Sequence, residues 1–129
     1  MALISTLVAL VTAQATPVVV DAQLLVHSKV PSPAGIKPYR SALVAGEYLV
    51  KKVVKGRDAE LKPGAKIRVF RWGILDAKAT GLGKVKKGST VRLSLSRLAG
   101  WTQMEREYQV DDLESDLAIT YYVDAAKIK

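Results

Sequence analysis

The chain has 129 residues, no cysteine, one histidine and a formal net charge of +8, a length that fits one globular domain with a core of adequate size. Lack of Cys rules out a disulfide framework, a thiolate nucleophile and a Cys-containing zinc site. Lack of Asn rules out an N-glycosylation acceptor.

Residues 1–15, MALISTLVALVTAQA, hold an apolar run followed by Ala13-Gln14-Ala15, the small-x-small pattern that a signal peptidase reads. The segment is expected to be an export signal cut before Thr16, although no Lys or Arg precedes it, with 16–129 as a single domain. The competing reading is an N-terminal strand or helix packed on that domain. Ser5, Thr6, Thr12 and Gln14 interrupt a run too short for the ~20 residues of a bilayer span, so no membrane span is expected.

From Val18 to His27 apolar and other residues alternate, predicting a half-buried strand whose polar face carries Asp21, Gln23 and His27. Three prolines between Pro31 and Pro38 end it in an exposed loop. Pro38 to Gly56 has two readings. Tyr39, Leu43, Gly46, Val50 and Val53 recur at helical spacing. Mid-run Gly46 and the β-branched Val44, Val50, Val53 and Val54 favour a strand, with a bulge near Ala45-Gly46 to account for the broken alternation.

Tyr48 to Trp72 reads as two basic strands joined by a loop ending in Pro63-Gly64. In the second strand Ile67, Val69 and Arg71 point one way and Lys66, Arg68, Phe70 and Trp72 the other. Gly83 to Thr90 is not a phosphate loop, because Lys87 precedes Gly88 and a strand follows, with Val91, Leu93 and Leu95 on one side. Leu117, Ile119, Tyr121 and Val123 mark a fifth strand. Five strands with irregular connections suit an all-β, small, partly open barrel better than a seven-stranded sandwich.

Three features, the strand from Ala42 that ends Lys55-Gly56, Pro63-Gly64 before Ile67-Arg68-Val69, and Gly88 before Leu93-Ser94-Leu95, resemble small OB-like β-barrel modules of exported bacterial proteins. The resemblance covers roughly residues 42 to 96 and rests on turn and core positions. It implies an OB-like fold and leaves function open.

Charge is uneven: Lys51 to Arg97 holds fourteen Lys/Arg against three Asp/Glu, whereas Glu105 to Asp124 holds seven acids and one Arg. A basic face of this kind concentrates polyanions, and the Asp111-Asp112-Leu113-Glu114-Ser115-Asp116 loop could also lie across it, in the same molecule or a neighbour. Lys51, Lys52, Lys66, Arg68, Phe70, Arg71 and Trp72 are the candidate ligand-binding residues, since cations with interleaved aromatics suit a charged polymer and OB barrels commonly bind on strands two and three. The bland reading gives Phe70 and Trp72 packing roles and leaves the charges as a solvated face.

No catalytic residue, metal site or cofactor is expected. His27 has no nucleophile elbow near it, and the acidic loop lacks the D-x-D-x-D-G order of a calcium loop. The expectation is a non-enzymatic, exported accessory module, in the periplasm or at the cell surface, whose basic face meets an anionic envelope polymer or a protein partner. Alternatives are a cytosolic single-stranded nucleic-acid binder and a structural domain that self-associates through its basic face and acidic loop.

Overall fold

The computed structural model describes residues 17–100, 107–113 and 119–126. The expected export segment lies outside the described residues, as do Glu114, Asp116, Leu117 and Ala118. Seven strands are present: β1 (Val18–His27), β2 (Ala42–Lys55), β3 (Lys66–Leu75), β4 (Lys78–Ala79), β5 (Thr90–Arg97), β6 (Tyr108–Val110) and β7 (Tyr121–Asp124). Antiparallel pairs join β1 to β2, β2 to β3, β7 to β5 and β5 to β1, and a parallel pair joins β3 to β7. That circuit closes a five-stranded barrel, OB-like as expected, its ring complete where a partly open one was expected. β4 extends β3 as a hairpin, and β6 adds a short parallel strand to β2.

Period-2 alternation puts Val18, Val20, Ala22 and Leu24 of β1 and Leu93 and Leu95 of β5 inside the barrel with Tyr48, Val50, Ile67, Val69 and Tyr122. Each large aliphatic side chain fully removed from water there contributes about 1.5–3 kcal/mol. Above the main core Ile36 packs on Ala42 and Ile74, and the buried Leu82 sits on a short 3-10 turn.

β2 is a strand throughout, not a helix, and it is irregular at places the sequence did not mark. Pairing with β3 runs unbroken through Ala45-Gly46, where a bulge was expected. Extra residues fall at Lys51 and Val54, against β1, and a third at Leu25 in β1 itself. Such insertions bend a strand and increase its twist, which lets a 14-residue strand wrap the barrel. The apolar residues on both sides of 42–46 have a simple cause: this part of β2 is buried on two faces. Val44 is buried with the inward side chains, and Leu43 and Ala45 are buried on the outside in a second cluster with Phe70 and Val123.

Leu25 also corrects the place of His27. Leu24 lies opposite Tyr48, but after the extra residue Val26 lies opposite Glu47 and His27 opposite Gly46. A one-residue insertion reverses the alternation. His27 therefore faces the same side as Gly46 and Tyr48, away from Asp21 and Gln23. Its Nδ1 is 2.7 Å from the Ser28 carbonyl oxygen, which can only accept, so that nitrogen carries the hydrogen.

Candidate functional site

The outer face of β2, β3 and β7 is the surface that the sequence singles out. Arg68 projects from β3 onto it, as the alternation predicts, but only 1% of the residue is exposed. Its guanidinium donates to the Tyr121 hydroxyl at 2.8 Å and sits 5.6 Å from that ring's centroid. The carboxylates of Glu47 and Asp111 each stand 3.9 Å away, and Nε is buried without a hydrogen-bond partner. Two residues along, Phe70 is 3% exposed and stacks on Tyr121, centroids 5.9 Å apart. Trp72 is half-buried, its indole N–H donating to the Ala125 carbonyl at 3.1 Å.

The cover is the chain's own acidic segment. β6 lies along the start of β2, and Leu113 packs against the Leu43, Ala45, Phe70 and Val123 cluster. Asp111 accepts from the Tyr121 hydroxyl at 3.0 Å, and the Asp112 amide donates to the buried Ser28 hydroxyl at 3.0 Å. Of the two placements open to the acidic loop, Asp111 thus takes the intramolecular one.

The seven candidate residues divide. Lys51, Lys52 and Lys66 are exposed, Trp72 is half-buried, and Arg68, Phe70 and Arg71 are buried. Arg71 also points into the barrel, on the side of Ile67 and Val69. Alternation along β3 already puts it on that side, so Arg71 does not belong with the outward residues, contrary to expectation. There its guanidinium donates to the Tyr48 hydroxyl at 3.4 Å, and its Nε lacks a partner. Asp124, its register neighbour on β7, instead accepts from the amides of Ser94 and Ala126 at 3.0 and 2.9 Å.

What remains accessible is a cationic edge: Lys51, Lys52 and Lys55 on β2, Arg57 and Lys62 on the following loop, and Lys66 at the start of β3. Lys66 is 3.7 Å from Glu47; among the described residues the other five have no carboxylate in ion-pair contact. Beside them Lys52 pairs in register with Asp21, and Asp21 with Arg92. The Arg92 guanidinium, bonded at 2.9 and 3.2 Å, holds the Asp21 carboxyl below the usual carboxylate range, and Lys52 adds to this.

At the opposite end of the barrel from Leu82, Asp58 accepts from Arg97 at 2.8 and 2.9 Å and from the Tyr122 hydroxyl at 3.0 Å, while Glu60 accepts from Thr120. No local pattern marks this cluster, whose members are far apart in the chain. A shallow cleft of about 680 Å³ lies where Pro33, Lys37, Pro38, Tyr39 and Arg40 meet Ala77. Among the described residues no three His, Asp or Glu are grouped to hold a metal ion, and no helix is long and apolar enough to cross a membrane. Comparison with protein-family models, curated proteins and solved structures gave no match.

Proposed function

We propose that this barrel is a non-enzymatic accessory module that binds an anionic polymer along the Lys51, Lys52, Lys55, Arg57, Lys62 and Lys66 edge. The observation that carries this reading is the exposure of these six cations with a single carboxylate, Glu47, in contact with any of them among the described residues. Five cations without a carboxylate in ion-pair contact among the described residues, gathered on one end of a small barrel, raise the local potential and give counterion-displacing contacts to a polyanion. Nucleic-acid stacking is the weaker alternative, since Phe70 offers no exposed ring. The structural alternative draws on Asp111, which already answers the charge of Arg68.

Export goes with this reading, because the compartment decides which polyanions the chain meets. A mature chain starting at Thr16 in the export fraction points to envelope polymers; an unprocessed chain kept inside moves nucleic acid to first place. The binding test is titration of polyphosphate and of a single-stranded oligonucleotide at several salt concentrations. Charge reversal of Lys51, Lys52 and Lys66 to Glu should weaken binding by about tenfold or more and flatten its salt dependence. Equal affinity in the reversed variant would remove the edge as the site.

A further inference from the structure

β2 has an open edge at its start. β1 leaves it at Gly46, the last contact being the Ser28 amide on the Ala45 carbonyl at 2.9 Å. β3 occupies the other side of Ala42–Val44, so one row of backbone donors and acceptors is left for a further strand. Three residues of β6 take it, parallel and in register from Ala42↔Tyr108 to Val44↔Val110. The segment then crosses the outer face, setting Asp111 beside Arg68 and Leu113 in the outer apolar cluster.

This seat is imperfectly filled at its centre. Arg68 is buried, yet its Nε has no acceptor, and both nearby carboxylates stand 3.9 Å off, beyond hydrogen-bond reach. Desolvating a guanidinium with one of its donors left unsatisfied is costly, so the hold of the cis segment is weakest where its charge chemistry is most specific. At the entrance Tyr108 meets the half-exposed Tyr39, ring centroids 5.5 Å apart. Lys37 and Arg40 flank Tyr39, exposed and, among the described residues, without a carboxylate in contact.

We propose that the Ala42–Val44 edge and the buried Arg68 guanidinium form a peptide-docking site that residues 108–113 occupy in cis, whose partner in trans is an extended acidic segment of another protein. The cis occupant shows the pattern: strand pairing to the edge, an aromatic residue at the entrance, a carboxylate at Arg68, and an apolar residue two positions further on. Main-chain bonds to a sheet edge supply affinity, and side-chain seats supply specificity. Lys37 and Arg40 favour additional carboxylates preceding the docked strand. The inference goes beyond the lysine edge and does not depend on it.

The test uses the full chain and a fluorescent peptide of residues 107–113, EYQVDDL, with EYQVNNL as control. A competing cis occupant lowers apparent affinity by the fraction of molecules in which the docking site is closed. Asp111→Asn with Leu113→Ser should therefore bind EYQVDDL about tenfold more tightly than the unaltered chain, and Asp111→Asn alone about threefold. If the double variant loses cooperative unfolding, the single variant carries the comparison. In either background EYQVNNL should bind at least about tenfold more weakly than EYQVDDL, and Arg68→Gln should abolish that difference. Equal affinity for both peptides, no gain on loosening the segment, or no binding by any folded variant overturns the proposal. Lys51→Glu with Lys52→Glu should leave peptide binding unchanged, so loss of the polyanion site and loss of the peptide-docking site are separate results.

Discussion

The Tyr122 hydroxyl donates to Asp58 at 3.0 Å across the floor of the barrel, joining the loop after β2 to β7 over a separation of 64 residues. Arg97 clamps the same carboxylate with two nitrogens, and its guanidinium lies 5.8 Å from the Tyr122 ring centroid. The Arg97 hydrogen bonds are the main reason the Asp58 carboxyl is held below its ordinary range, against the opposing effect of burial, with the Glu60 amide and Tyr122 hydroxyl helping.

An acid-limb prediction follows from that shift. A carboxyl with a depressed folded pKa contributes stability above its unfolded value, about 3.9, and loses it as pH falls towards the folded value. Asp58→Asn should flatten the fall of stability below about pH 4, leaving the part due to Asp21, whose carboxyl is lowered by Arg92. Arg97 is substantially exposed, so the ion pair itself is discounted for solvent screening. The main cost at neutral pH is the disturbed partner of the buried Tyr122 hydroxyl, about 1–3 kcal/mol. Urea unfolding at pH 7 and pH 3 measures both, and an unchanged pH slope would count against the clamp.

At alkaline pH the relevant groups are Tyr48 and Tyr122. Burial is the largest cause raising each above the ordinary tyrosine range, with Asp58 adding to the rise of Tyr122. A folded pKa raised above the unfolded value of about 10 means stability is fully present below pH 10 and declines as pH climbs towards the folded value. Phenolate absorbance should show Tyr48 and Tyr122 titrating only with unfolding. Tyr122→Phe should reduce the decline. Ionisation of Tyr48 and Tyr122 before the loss of β-sheet circular dichroism would contradict their burial.

Much of this fold was legible because a strand buried on one face writes itself in period two. Val18 to Leu24 and Val91 to Leu95 do so cleanly, and both line the barrel. Ile67 and Val69 against Arg68 and Phe70 separated the two faces of β3 correctly. What alternation could not convey was that the outer face is also covered. The apolar Leu43 and Ala45 on that face were the available signal, but β6 is only three residues long and its pairing with β2 is distant in sequence. The insertion at Leu25, which turns His27 to the other side, leaves no mark in the alternation before it. The Asp58, Arg97 and Tyr122 cluster had no local pattern at all. The exposed lysines of the candidate edge were legible as charges; that Lys51, Lys52 and Lys55 have no carboxylate in ion-pair contact among the described residues, whereas Lys66 lies 3.7 Å from Glu47, was not.

Glycines 73 and 64 should differ in how they fail. Gly73 is the extra residue of β3 opposite the step from Ala42 to Leu43, and a Cβ there would come within 2.6 Å of Val44 Cγ2 and 3.1 Å of Val30 Cγ1. Gly64 has φ of +90° and open space around its Cα. Gly73→Ala is thus an overpacking change inside a closed structure, expected to cost about 1–3 kcal/mol, whereas Gly64→Ala costs backbone strain alone, about 1 kcal/mol. Parallel urea titrations give the order. Equal costs would mean the barrel relaxes around Gly73.

Arg71 offers the sharpest test of what its charge contributes inside the barrel. Its guanidinium has a long bond to Tyr48, an Nε without a partner, and no carboxylate in ion-pair contact among the described residues. Asp124, the nearest acid in register, is already satisfied by two backbone amides. Removing a well-paired buried cation exposes the carboxylate it served, which makes such changes severe; here that penalty is absent. Arg71→Met keeps most of the side-chain volume and removes the desolvated charge, so it should be neutral within about 1 kcal/mol or stabilising. Arg71→Ala leaves a cavity and should cost about 2–4 kcal/mol. The comparison separates volume from charge, because both variants lose the charge and only one loses the volume. If Met proves as damaging as Ala, the guanidinium itself holds Tyr48 and the upper barrel in place, and the charge is structural.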